Sequence, residues 1–118
     1  MALDEKTIKM AKGPNYAALT TLFKDGSPQT HTMWVDTDGE HILINTEIHR
    51  VKYKNIKNDP RVSVMIWKHD DPFNFVEIRG KVIGEITGED AEKNIQSLSD
   101  KYWGKPYPFT IQTERIVL

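Results

Sequence analysis

Residues 75–86 read FVEIRGKVIGEI and form the clearest strand pattern in the sequence. Apolar side chains alternate with charged ones, which is the period of a strand with one buried face. The apolar set is Val76, Ile78, Val82 and Ile86. Gly80 and Gly84 fall on the same side, where glycine indicates tight curvature or the close approach of another backbone. The pattern predicts a curved strand of a barrel.

Other strand patterns lie on both sides of this one. We predict an antiparallel meander of residues 15–24, 29–35 and 41–45, followed later by strands over 61–68 and 109–118. Polar turns at 25–28 and 36–39 join the first three strands. Both alternating sets of residues 15–24 are apolar or hydroxyl-bearing, so we expect that strand to be covered on both faces.

Three helices are predicted between and around the strands, over residues 3–12, over 48–58 and from 87–90 to Gly104. The second helix must stop before Asp59-Pro60. Thr87 and Asp90 fit a capping box at the start of the third helix. One face of that helix is apolar and consists of Ala91, Ile95, Leu98 and Tyr102.

This order of elements predicts a mainly β fold, a small closed or split antiparallel β-barrel with short helices. At 118 residues the chain is expected to be a single domain, 1–118. It ends on the apolar run Ile116-Val117-Leu118 without a following turn, so we expect the C-terminal strand to be cut short.

Composition excludes several classes of protein. Because the chain has no cysteine, it has no disulfide, zinc-thiolate site, iron–sulfur cluster or cysteine nucleophile. No run of about 20 apolar residues or signal peptide is present, so we expect a cytoplasmic protein that does not cross a membrane. The net charge of −1 favours no nucleic-acid partner.

The most informative segment for function is residues 45–57, NTEIHRVKYKNIK, where a strand runs into a basic helix. Thr46 supplies a hydroxyl at the strand end, Arg50 can bind two oxygens, and Lys52 supplies a point charge beside helix N-terminal amides. On a helical period Lys52 points away from the face that Arg50 shares with Lys54 and Lys57. The segment is suited to a phosphate, although lysine runs on helices usually face solvent.

The remaining polar residues favour no catalytic group. The four histidines, His31, His41, His49 and His69, show no metal-binding spacing, and each is interpreted as a surface or packing residue. Asp36, Asp38, Asp70 and Asp71 flank turns and are assigned to them. The sequence nominates no catalytic residue, and the catalytic group is unknown from it.

The motifs together resemble the pyridoxamine 5'-phosphate oxidase-like split β-barrel flavoproteins, and among them the branch that uses the deazaflavin coenzyme F420. The resemblance covers roughly residues 16–86. It rests on four segments: 18–21 running into 25–28, the strand 42–46 with Trp34 before it, Arg50-x-Lys52 ahead of Asn55, and 59–63 opening the next strand.

The resemblance implies a homodimer that binds FMN or coenzyme F420 in grooves between its subunits. Thr46, Arg50 and Lys52 match phosphate-binding positions, whereas Thr32, Met33, Trp34 and Asn45 match strand positions along the ring. Basic residues at 54, 57 and 61 could meet the acidic tail of F420. The function implied is an oxidoreductase acting on a small organic substrate, without a protein nucleophile.

Two other interpretations remain open. The chain could be a flavin- or haem-binding or storage protein of the same fold without turnover, since no proton donor can be placed near a substrate. An oligonucleotide-binding barrel would use the same basic residues, but acidic residues are spread over the loops that such a groove would need.

Overall fold

The structure is a computed structural model that describes residues 3–47 and 50–105, together with the backbone of 115–117. Its helices are α1 (Glu5–Lys12), α2 (Val51–Asn58) and α3 (Glu89–Trp103). Its strands are β1 (Tyr16–Leu22), β2 (Pro28–Met33), β3 (Asp36–Thr37), β4 (Ile42–Leu43), β5 (Asn45–Glu47), β6 (Arg61–Lys68), β7 (Asp71–Lys81), β8 (Ile86–Thr87) and β9 (Arg115–Val117).

The main sheet contains four antiparallel strands in the order β2-β1-β6-β7. Leu19 of β1 lies opposite His31 of β2 and Val64 of β6. Side chains of this inner face form the core with residues of α1 and of the 35–44 segment. The core comprises Met10, Ala11, Ala17, Leu19, Val35, Ile44, Val64 and Ile66.

Two small sheets accompany the main one: β3 pairs with β4, and β9 lies between β5 and β8. Every described pairing is antiparallel. The mainly β, split-barrel fold predicted from the sequence is therefore confirmed. Within the described ranges the strands form three separate sheets and do not close into one continuous barrel.

The predicted strand over 75–86 has different ends in the structure. Strand β7 begins at Asp71, whose carboxylate accepts a hydrogen bond from the Phe73 N–H, and it stops at Lys81. Lys81 lies opposite Arg61, the first residue of β6 after Pro60, so the ladder ends with its partner strand. Ile86 belongs instead to the separate short strand β8.

The predicted three-strand meander is wrong at its third strand. The chain leaves the main sheet after Met33, and the following β3 forms a small hairpin with β4. The backbone groups of Val35 bond to α3: its N–H donates to the Tyr102 hydroxyl at 3.2 Å, and its oxygen accepts from Lys101 Nζ at 2.6 Å. Partners distant in sequence therefore replace the expected ladder bonds.

All three predicted helices are present, but two starts and one cap differ: α1 begins at Glu5 and not at residue 3, and α2 begins at Val51, with Arg50 as its N-cap. Helix α2 ends at Asn58, before Asp59-Pro60, as predicted. Ala91, Ile95 and Leu98 are buried on the expected face of α3, which ends at the left-handed Gly104. The prediction of a capping box from Thr87 and Asp90 is wrong, because Gly88 is the N-cap of α3 and no side chain caps this end of the helix.

The two faces of β1 differ in burial. Ala17, Leu19 and Thr21 are at most 3% exposed, whereas Tyr16 on the other face is 41% exposed. The expectation that this strand is covered on both faces is therefore not met within one chain. Of the predicted final strand, residues 109–114 and 118 lie outside the described part, and Arg115–Val117 is a strand. No helix in the described ranges is long and apolar enough to span a membrane.

Candidate functional site

A cavity of about 350 Å³ opens where β2, β5 and the start of α2 meet. Its described lining residues are His31, Thr32, Met33, Asn45, Thr46, Arg50 and Lys52. Six of these are residues that the sequence analysis nominated for cofactor binding; His31 is the addition. Residues of two strands and of the start of a helix, up to 21 positions apart in sequence, thus line one cavity.

The cavity wall is positively charged in its described part. Arg50 is the N-cap of α2, no side chain caps this helix end, and the first turn carries no acidic residue. Lys52 is only 6% exposed although it lines the cavity. A charge in such a poorly hydrated position acts more strongly on an anion than a charge in bulk water. None of the described lining residues is an aspartate or glutamate.

Strand β5 supplies the neutral polar groups of the wall. Asn45 and Thr46 are 5% and 3% exposed. The Asn45 amide donates to the Ala91 oxygen at 2.8 Å and to Asn94 Oδ1 at 3.1 Å. These bonds fix β5 against α3, and Thr46 is thereby held next to the basic start of α2.

Trp34 is the one nominated residue that does not line the described cavity wall. Its ring stacks on Tyr102 at a centroid distance of 5.2 Å and an interplanar angle of 5°. It also meets Trp103 edge-on at 4.5 Å. The residue follows the end of β2 and packs against α3, so its role along a cofactor ring stays a prediction.

The other basic residues near α2 differ in their partners. Lys57 Nζ lies 2.9 Å from a Glu85 carboxylate oxygen, which raises the pKa of the lysine. Arg61 pairs with Asp59 at 2.8 Å, and this partner raises the pKa of the arginine. Lys54 is exposed. Of the cations suggested for an acidic tail, two are therefore already paired within the chain.

The described histidines occupy three different settings. His41 Nδ1 lies 3.0 Å from Asp38, and His69 contacts the Asn15 side chain, whereas His31 lines the cavity. His49 lies outside the described residues. Spacing did not single out His31; only its place beside Thr32 and Met33 on one strand could have done so. The described ranges contain no group of three side chains able to hold a metal ion.

A family model and a solved structure both match nearly the whole of this chain. The pyridoxamine 5'-phosphate oxidase family model matches residues 3–115. A solved structure named F420 Reductase is 29% identical, with a TM-score of 0.82 over 98% of this chain and 91% of that chain.

More distant structures show the same fold. A haem-binding protein from Mycobacterium smegmatis is 20% identical, with a TM-score of 0.62 over 96% of this chain and 48% of its own. General Stress Protein 26 from Bacillus anthracis is 19% identical, with a TM-score of 0.63 over 96% of this chain and 84% of its own. The match to the family model spans nearly the whole sequence, and the chain therefore belongs to the pyridoxamine 5'-phosphate oxidase family.

Proposed function

We propose that this protein is an oxidoreductase that uses coenzyme F420 or FMN and transfers hydride to or from a small organic substrate. The observation that carries the proposal is the cavity between β2, β5 and α2. It gathers six residues that the sequence pattern and the family resemblance nominated, including Arg50 and Lys52. The similarity to a structure named F420 Reductase supports a deazaflavin.

The residues of the cavity suit the phosphate group that both cofactors carry. Arg50 offers a fork of donors and Lys52 a compact charge, while Thr46 adds a hydroxyl. The uncapped start of α2 adds backbone N–H groups and the positive end of the helix dipole. The volume of about 350 Å³ is within the range of roughly 300–1,000 Å³ usual for small-molecule sites.

Three other lining residues, Thr32, Met33 and Asn45, are assigned to the ring of the cofactor. Thr32 and Met33 follow one another on β2, and Asn45 is held rigidly by its bonds to α3. The bound cofactor would supply the hydride chemistry, and the protein would bind and orient it. Binding and orienting the cofactor requires no nucleophilic side chain in the cavity.

The outer face of the main sheet supports a homodimer. In its register Tyr16 lies opposite Trp67, and Trp67 lies opposite Phe75. Tyr16 and Phe75 are 41% and 49% exposed. Trp67 between them is half-buried. A partly exposed row of aromatic side chains is typical of an interaction surface, and a second copy of the chain is the partner proposed here.

The test is direct binding followed by turnover. Purified protein is mixed with FMN or with F420 and desalted, and the absorbance spectrum of the protein fraction is recorded. We expect one of the two cofactors to be retained at one per chain and, when reduced, to be reoxidised by a member of a panel of enones and quinones.

Other results would contradict the proposal in distinct ways. Retention without turnover on any acceptor would favour a flavin-binding or storage protein. A spectrum of retained haem in place of either cofactor would favour a haem-binding protein. Loss of both F420 and FMN on desalting, with no affinity in equilibrium titration, would remove the basis for an oxidoreductase.

A further inference from the structure

His31 is the described histidine with neither ring nitrogen bonded to another described residue. His41 is paired with Asp38 and His69 contacts Asn15. The ring of His31 forms no hydrogen bond or ion pair with any residue in the described ranges, and the side chain is exposed on the cavity wall. Its surroundings therefore decide what it can bind.

Among the described residues, the charged groups that share the cavity wall with His31 come from one element and its N-cap. Helix α2 contributes Lys52 and its N-cap Arg50 to the same described wall. Strand β5 contributes the neutral Asn45 and Thr46, and its charged residue Glu47 is 2% exposed and not part of that wall. On β1 the residue opposite His31 is Leu19.

We propose that His31 is a third basic ligand, beside Arg50 and Lys52, for the anionic group bound in this cavity, and one whose charge depends on pH. When protonated, both ring nitrogens donate and the ring adds a positive charge beside Arg50 and Lys52. Affinity for a phosphate or sulfate group therefore rises as the pH falls through the titration of the ring. The inference rests on the proposed function only in taking this cavity as the site of the cofactor phosphate.

The first test uses inorganic sulfate, whose charge is constant between about pH 5 and pH 8, the range in which histidines titrate. The ring protons of each histidine are followed by NMR through a pH titration with and without sulfate. Binding and protonation are linked, so sulfate should move the His31 midpoint to higher pH and leave those of His41 and His69 in place. An unmoved His31 midpoint at saturating sulfate would overturn the proposal.

The second test compares His31→Gln with the matched variant His41→Gln. Affinity for FMN is measured by titration at about pH 6 and pH 8, so the ligand's own ionisation is common to all variants. We expect His31→Gln to bind about three- to tenfold more weakly than wild type near pH 6 and equally near pH 8. His41→Gln should match wild type at both values. An equal loss at both values for His31→Gln would show a steric effect and contradict the proposal.

The two proposals can fail separately. A sulfate-dependent His31 midpoint in a protein that retains neither FMN nor F420 would support the anion site and reject the cofactor. Cofactor binding and turnover with an unmoved His31 midpoint would support the oxidoreductase and reject the role of His31.

Discussion

Lys52 and Lys54 are two residues apart on the same helix, but the fold places them differently. Lys52 is 6% exposed and lines the cavity, whereas Lys54 is exposed and does not line its described wall. Both carry the same charge on the same stem. A difference in cofactor affinity between a Lys52 variant and a Lys54 variant therefore reflects where each side chain lies. The two lysines make a matched test of the cavity.

Lys52→Ala is expected to weaken FMN or F420 binding by about ten- to a hundredfold, the range for loss of a charged hydrogen bond. Lys54→Ala should change FMN affinity by less than about threefold, because an exposed charge is screened by solvent. Fluorescence titration of each variant measures this, with circular dichroism as the check on folding. Equal affinities in the two variants would contradict the assignment of the cavity.

At the level of elements, the last turn of α3 joins α1, the residue before β1 and the segment after β2. Lys101 Nζ donates to the oxygens of Ala11 in α1 and Val35 after β2, at 3.0 and 2.6 Å. The Tyr102 hydroxyl donates to the Asn15 oxygen and accepts from the Val35 N–H. Ala11 and Val35 are fully buried, so water cannot easily replace these partners.

Tyr102→Phe is expected to lower the free energy of unfolding by about 1–3 kcal/mol, because it leaves buried backbone groups without a partner. The ring that stacks on Trp34 is kept. Urea unfolding followed by tryptophan fluorescence measures the change. For comparison, Tyr53→Phe on α2 removes a hydroxyl that makes no backbone hydrogen bond in the described ranges. A cost no larger than that of Tyr53→Phe would argue against the anchoring role.

Burial lowers the pKa of Lys101 to about 8. In the unfolded chain the group keeps its proton up to its ordinary value of 10.5, so folding releases a proton between these values and stability rises with pH. The pKa of Tyr102 is raised to about 12 by burial, and it opposes this trend only above its ordinary value of 10.0.

The free energy of unfolding should therefore increase between pH 8 and pH 10 by roughly 1 kcal/mol, after allowance for solvent screening of a half-exposed lysine. Lys101→Met should be less stable overall and lack this rise. Urea unfolding at intervals of half a pH unit tests it. A wild-type stability that is level or falling over this window would contradict the expected sign.

Elements with local determinants could be predicted from the sequence. The stop of α2 before Pro60 and the buried face of α3 depend on neighbours within one or two turns. Thr46, Arg50 and Lys52 could be nominated from the local strand-to-helix pattern, whereas Thr32, Met33 and Asn45 were nominated only through the family resemblance. The departure of the chain from the sheet at Val35 depends on Lys101 and Tyr102, 66 and 67 residues away. No periodicity within residues 29–45 encodes those partners, so the third strand of the meander was assigned wrongly.

At the level of the whole molecule, burial is uneven across the main sheet. The inner face packs against the core, whereas the outer face carries the row of Tyr16, Trp67 and Phe75. Tyr16 and Trp67 have ring centroids 6.2 Å apart. Tyr16 and Phe75 are partly exposed on either side of the half-buried Trp67, and the proposed pairing with a second copy would bury this apolar surface.

Phe75→Glu is expected to convert the proposed dimer to a monomer, because a second copy would then have to bury two carboxylates in its interface. Sedimentation velocity over a range of protein concentrations measures the change. Lys93→Glu, on the exposed side of α3, also adds negative charge and should leave the dimer intact. A wild-type chain that sediments as a monomer at every concentration would reject the interface altogether.

The junction at Val35 also sets an order of events during synthesis. Its N–H and oxygen find their partners on residues that the ribosome adds more than 60 positions later. A nascent chain that has emerged only as far as α2 lacks Lys101 and Tyr102, the hydrogen-bond partners of the Val35 N–H and oxygen. The corner between β2 and β3 therefore acquires these hydrogen bonds only after α3 has left the exit tunnel, and the N-terminal strands cannot complete their folding during synthesis before that point.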